Sequence, residues 1–195
     1  MPAKIERLDI PDLLLITSAV HGDARGRFAE TFSARELAEH GFTAPFVQDN
    51  HSVSPSKGTV RGLHFQVAPH AQDKLLRVTR GAILDVAVDL RPGSPTYGRH
   101  AAVELSADNW RQLLVPKGFA HGFQTLTDDC EVLYKVTDYY APATERGLLW
   151  KDPALGIEWP VGPEAATVNA RDAAWPALAD LGQPFAGLAS VGAAP

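Results

Sequence analysis

From Ile83 to Leu90 the side chains alternate: Leu84, Val86, Val88 and Leu90 fall on one face, with Ile83, Asp85, Ala87 and Asp89 on the other. Successive strand residues point to opposite faces, so this period predicts a strand with one wholly apolar face. Arg91-Pro92-Gly93-Ser94-Pro95 then forces a turn, and Ala101 to Leu105 and Gln112 to Val115 resume the extended pattern. Val132, Tyr134 and Val136 share another strand face, which aims the tyrosine hydroxyl into a barrel interior. Short segments of this kind recur between turn signals, an all-β rhythm. One stretch departs from it: Ser33 can cap a helix, with Glu36 as the third-position partner of a capping box, and Gly41 ends it. That helix is expected as a surface insertion. After Trp159-Pro160 the pattern weakens, and the Ala/Gly/Pro stretch from Gln183 predicts a loosely held tail.

Many short strands, one or a few short peripheral helices and glycine at the corners describe a jelly roll or small barrel whose mouth can hold a ligand. A sandwich without a pocket fits the same pattern. A chain of 195 residues can bury one substantial core, and no linker divides it. Residues 1–182 are therefore expected to form one domain, with 183–195 as the tail. The formal charge is -5 with a pI ≈ 5.8, and the basic residues are scattered, which argues against a nucleic-acid surface. A few arginines converging locally can still bind an anion. Cys130, the single cysteine, lies between Asp129 and Glu131, where negative neighbours disfavour a thiolate, so a structural role is expected. No intrachain disulfide can form, and charged residues from Lys4 to Asp12 interrupt any signal-peptide pattern, so the expected location is cytoplasmic. The apolar run Leu13-Leu14-Leu15-Ile16 is far too short to span a bilayer.

Residues 61 to 66 read Arg61-Gly62-Leu63-His64-Phe65-Gln66. Strict alternation puts Gly62, His64 and Gln66 on one face and Arg61, Leu63 and Phe65 on the other, unless the glycine bends the strand. His64 is the first candidate for a general base, because an imidazole titrates near ~6.5. A histidine hydrogen-bonded inside a barrel is the bland alternative. A base needs an orienting partner, and Asp172 in Asn169-Ala170-Arg171-Asp172 is the best available. Tyr134 is the natural opposing acid, while Lys74 and His121 can supply positive charge or hydrogen bonds to a developing oxyanion. Arg25 and Arg61 can grip a diphosphate through the guanidinium fork, and Gln48-Asp49-Asn50 offers further polar contacts. Pro116 to His121 resembles the second metal motif of metal-binding cupins, but Phe65 and Gln66 after His64 leave no His-x-His pair, and two imidazoles make a weak site.

Taken together these motifs resemble the dTDP-4-dehydrorhamnose 3,5-epimerase family, the cupin-type dTDP-sugar epimerases, from about Leu8 to Leu178. The resemblance is carried by Gln48-Asp49-Asn50-His51-Ser52, Arg61 to Gln66, Asp89-Leu90-Arg91 before Ser94 and Gly98, Pro116 to Phe123, Tyr134-Lys135 and Trp150-Lys151-Asp152-Pro153. It implies a cupin jelly roll, a homodimer exchanging strands, and catalysis without metal or organic cofactor. It also implies His64 as proton acceptor, Tyr134 as proton donor, Asp172 as partner of the histidine and Lys74 as the residue that steadies the C4 oxygen. Arg25, Glu30, Gln48, Asp49, Asn50, Arg61, His121, Glu145 and Arg171 match substrate-contact positions. Arg171 stands where the family usually has lysine, and Asn169 where serine is common. The implied reaction inverts C3 and C5 of dTDP-4-dehydro-6-deoxy-D-glucose to give dTDP-4-dehydro-L-rhamnose. Phe65-Gln66 after the histidine resembles the bifunctional enzymes. The alternatives are a C3-only epimerase of a dTDP-4-keto-6-deoxy sugar, a non-catalytic nucleotide-sugar-binding cupin, and a metal-dependent cupin oxygenase or isomerase.

Overall fold

The alternating segments fold as strands, thirteen of them among residues 2–186, which the computed structural model describes. In chain order they are β1 (Lys4–Arg7), β2 (Leu14–Thr17), β3 (Val20–Asp23), β4 (Gly26–Ala29), β5 (Gln48–Ser54), β6 (Val60–Gln66) and β7 (Lys74–Arg80). There follow β8 (Ala82–Asp89), β9 (His100–Ser106), β10 (Arg111–Val115), β11 (Phe119–Thr125), β12 (Cys130–Val136) and β13 (Glu145–Gly147). One antiparallel sheet has the order β1-β2-β10-β7-β12-β5 and the other β13-β6-β11-β8-β9, while β3 and β4 form a separate hairpin. The expected all-β architecture is what the chain builds, in the form of two antiparallel sheets packed as a sandwich.

Between the sheets lie Leu15, Leu76, Val78, Leu113, Val115 and Val132 from the first and Ile83, Ala87, Leu105, Phe119 and Phe123 from the second. The wholly apolar face of β8 is not part of this interior. Val86, Val88 and Leu90 pack instead with Leu63, Phe65, Leu148, Trp150 and Leu155, on the outer face of the second sheet beneath the chain that follows β13. Both faces of β8 are therefore buried, and its mixed face, with Asp85 and Asp89, is the one turned inward. This segment carries the short helix α2 (Ala170–Ala173) to the edge of the second sheet.

The helix expected after Ser33 is α1 (Ala34–Glu39), and Ser33 Oγ accepts from the Glu36 amide at 3.4 Å. The Glu36 carboxylate does not close the capping box. It accepts instead from the Ala3 amide, tying the chain start to the helix. Gly41 follows with φ +89°, a left-handed conformation that suits glycine. The helix is more than a surface insertion, because Leu37 covers Leu14, Ile16, Leu75 and Leu114 on the outer face of the first sheet. Cys130 is buried, its thiol donating to the Ala82 carbonyl at 3.1 Å. Of the stretch expected as a tail, Phe185 is buried with its ring 5.1 Å from that of Phe65, and residues 187–195 lie outside the described part. Among the described residues no helix is long and apolar enough to cross a membrane.

Candidate active site

The cleft begins with an irregularity in β6. Its pairing with β11 matches His64 to His121 but Arg61 to Phe123, so β6 holds one extra residue between those two points. Such a bulge resets the alternation of faces. His121 and Phe123 share a face of β11, and their partners His64 and Arg61 therefore both face the interior, contrary to strict alternation. Leu63 and Phe65 go to the outer cluster. Gly62 makes this possible: its φ is +126°, and a Cβ there would lie 2.6 Å from the Gly122 Cα and 2.8 Å from the His121 carbonyl oxygen.

His64 Nε2 lies 2.7 Å from Asp172 Oδ1. A carboxylate only accepts, so Nε2 carries the hydrogen and Nδ1 keeps its lone pair. Asp172 is held on its other side by the Gly62 amide, which donates to Oδ2 at 3.0 Å. Asn169 orients the residue by accepting from the Asp172 amide at 2.7 Å as the cap of α2. Burial alone would push the Asp172 carboxyl up. The hydrogen bonds from His64 and Gly62, with the charges of His64 and Arg171, outweigh it and hold the group below the usual carboxylate range. The Trp175 ring stands edge-on to His64 with centroids 6.3 Å apart, in space that a side chain at Gly147 would fill.

Tyr134 comes from the opposite sheet, on β12 between Asn50 of β5 and Leu76 of β7. Burial raises its phenol above the ordinary value, with Arg61 pulling it down and Glu145 pushing it up, so the hydroxyl keeps its proton at neutral pH. Lys74 shares the inner face of β7 with Leu76 and reaches across the sandwich, Nζ donating to the His64 carbonyl at 3.3 Å. Burial pushes its ammonium down to about 8, against the raising pull of Asp85 and Glu145.

His121 is buried, with Nε2 2.8 Å from Asp85 Oδ1. Burial lowers its pKa, Asp85 raises it, and Lys74 and His64 lower it further, for a net fall that leaves the ring neutral at pH 7. Positive charge was one expectation for this residue. A neutral ring bound through Nε2 offers an acceptor at Nδ1 instead. Asp85 itself was not among the sequence candidates, although an aspartate within an apolar strand was a usable signal.

At the mouth, Glu145 accepts from Tyr140 Oη at 2.8 Å and from Arg171 Nη1 at 2.7 Å. Gln48 accepts from the Tyr140 amide at 3.2 Å and donates to Asn50 Oδ1 at 2.9 Å. Arg61 bridges to β5 through Ser54 Oγ and the Val53 carbonyl, each at 3.1 Å. Three expected contacts are not brought to this cleft within one chain. Arg25 is bound to Asp23 on the exposed β3–β4 turn. Glu30 is exposed beside Ser33 and Glu36. Asp49 points outward and binds Lys135 Nζ at 2.9 Å. Among the described residues no three His, Cys, Asp or Glu side chains are grouped to hold a metal ion.

A family model described as dTDP-4-dehydrorhamnose 3,5-epimerase matches residues 7–180. The chain is 50% identical over 170 residues to the dTDP-4-dehydrorhamnose 3,5-epimerase of Salmonella typhimurium, covering 87% of this chain and 92% of that one. A dTDP-6-deoxy-D-glucose-3,5-epimerase of Legionella pneumophila, solved with dTDP-4-keto-L-rhamnose, superposes with a TM-score of 0.87 at 44% identity, covering 92% of this chain and 94% of that one. A 3'-monoepimerase of Streptomyces bikiniensis, solved with dTDP-quinovose, gives 0.83 at 36% identity, covering 89% of this chain and 87% of that one.

Proposed function

Because the chain belongs to the dTDP-4-dehydrorhamnose 3,5-epimerase family, we propose a role for each side chain of its cleft in that family's reaction. The enzyme inverts C3 and C5 of dTDP-4-dehydro-6-deoxy-D-glucose, a step of dTDP-rhamnose biosynthesis. The C4 ketone acidifies the protons on C3 and C5. His64 Nδ1 takes one of them, and Asp172 holds the ring in the tautomer that leaves this nitrogen free and then stabilises the imidazolium. Electrons move into an enolate whose charge gathers on the C4 oxygen, where the Lys74 ammonium meets it. Tyr134 returns a proton from the other side.

The observation that carries the reading is the opposition of His64, on one sheet and backed by Asp172 of α2, to Tyr134 on the other sheet. Facing sheets pack ~10 Å apart, room for one sugar ring between a base and an acid on opposite walls. Acid-base positioning of this kind contributes about 10² to 10⁴-fold. Arg61, Arg171, Gln48, Asn50, Glu145 and His121 line the remaining polar surface and are assigned to the nucleotide sugar, with a guanidinium on the diphosphate.

The proposal includes a homodimer. Arg25, bound to Asp23, lies on an exposed hairpin near Phe28, which is 72% exposed, and a second copy of the chain would cover the ring and give the guanidinium a further contact. Light scattering on the purified protein tests this, and a monomeric mass at working concentration removes it. A cytoplasmic location is supported by the single cysteine, which cannot form an intrachain disulfide.

The deciding experiment incubates the protein with dTDP-4-dehydro-6-deoxy-D-glucose in D₂O and follows deuterium by NMR. Exchange at C3 and C5, lost in His64→Ala, is expected. Exchange at C3 alone would move the enzyme to the monoepimerases.

A further inference from the structure

Asp85 has no part in the roles assigned above. It is fully buried on the inner face of β8, flanked on that face by Ile83 and Ala87. Oδ1 is bound to His121, while Oδ2 is buried with no hydrogen-bond partner among the described residues. A half-satisfied buried carboxylate is costly to keep, and it persists where its charge serves something nearby. Lys74 of β7, whose Nζ donates to the His64 carbonyl across the sandwich, makes no direct ion pair with Asp85 but lies within reach of its charge. The other carboxylate acting on Lys74 is Glu145 on β13, already bound by Tyr140 and Arg171. Around the ammonium, the His64 carbonyl on β6 accepts from Nζ, and the His121 ring on β11 lies within reach of its charge. Neither of these supplies negative charge at neutral pH.

We propose that Asp85 is a positioning residue: its buried charge keeps Lys74 protonated inside the cleft, and its hydrogen bond commits His121 Nε2, leaving Lys74 as the cation that meets the C4 oxygen. The inference rests on Lys74 as the enolate stabiliser. An amine that had lost its proton would offer no charge to an enolate, and a sugar filling the cleft strips Lys74 of the water that would otherwise stabilise its cationic form. Oδ2 of Asp85 supplies the counter-charge that water gives up.

Asp85→Asn removes the charge while keeping an oxygen that accepts from His121. The titration of Lys74 is read directly by NMR of its side-chain nitrogen in the ligand-free protein, with Lys74→Arg identifying the signal. In Asp85→Asn the midpoint is expected to fall by roughly one unit or more, and the alkaline limb of kcat/KM moves with it while KM at slightly acid pH stays near the parental value. Asp85→Glu, which keeps the charge, restores the parental midpoint. Should Asp85→Asn fail to fold, Asp85→Ser carries the same expectation. A Lys74 midpoint unchanged on loss of the charge overturns the proposal, whatever the activity. Parental turnover in Lys74→Ala would instead overturn the role given to Lys74, a separate result.

Discussion

Two histidines on adjacent strands of one sheet, β6 and β11, each meet a buried carboxylate at nearly the same spacing, 2.7 Å for His64 and Asp172 of α2 and 2.8 Å for His121 and Asp85 of β8. Their surroundings assign them different work. The His64 side chain is 23% exposed at the cleft, whereas that of His121 is 6% exposed behind it. Both carboxylates are buried, but Asp172 has a backbone amide and a nearby guanidinium to share its charge, while Asp85 has one free oxygen and an ammonium across the sandwich. A short contact between imidazole and carboxylate therefore does not by itself make a base. Access to a substrate carbon and the means to charge the ring without penalty decide it.

The strongest test of this contrast replaces each histidine in turn. His64→Ala is expected to lower kcat by about 10⁴-fold, and His121→Asn by only about tenfold, since the latter loses a contact rather than the base. Equal losses, measured by coupled assay, would erase the distinction. Next, Asp172→Asn should cost about 10³-fold, because an amide can bind the wrong tautomer and cannot stabilise the imidazolium. Tyr134→Phe should reduce net inversion about 10²-fold. Deuterium wash-in through His64 would then outlast product formation, and parallel loss of both would deny the opposed arrangement.

A smaller effect separates the charges. In the proposed role Lys74 must be protonated to meet the enolate, and its folded value is about 8, so kcat/KM is expected to fall as pH rises through that value. The loss is about tenfold per unit beyond it. Lys74→Arg keeps the cation and should move this limb out of the measurable range; an unmoved limb would assign it to another group. Smallest is the stability carried by Asp172, whose carboxyl is lower in the folded than in the unfolded chain. That contribution is present above the unfolded value of about 3.9 and is lost as pH falls through the folded one. The Tm gap between the parent and Asp172→Asn should thus be wider at neutral than at acid pH, by a few degrees, at about 2–4 °C per kcal/mol for a chain of this size. A gap independent of pH would mean that shape, not charge, accounts for it.

Much of this was legible along the chain because its cause is local. Ser33 caps α1 three residues before Glu36, and Tyr134 shares its strand face with Val132 and Val136, as the pattern requires. His64, Tyr134, Lys74 and Asp172 are all candidates the sequence offers, and the fold joins His64 to Asp172 and Lys74 by hydrogen bonds, with Tyr134 on the facing sheet. An aspartate between Ile83 and Ala87 is a visible anomaly along the chain, but only the tertiary structure supplies the groups, His121 and Lys74, that give Asp85 its meaning. Arg25, Glu30 and Asp49 were expected at the substrate, but within one chain they lie on its exposed surface.

The amino-acid order alone determined the strands, the turns and the kinds of side chain available for proton transfer, since each depends on residues a few positions apart. Three matters were decided only when the sheets closed. The bulge at Gly62 turned Arg61 and His64 to the same side, because register is a property of two strands and not of one. The apolar face of β8 went to the outside, because a segment more than fifty residues later was there to cover it. The charge states of His121 and Lys74 followed from burial and from opposing groups across the sandwich, which a linear sequence does not contain.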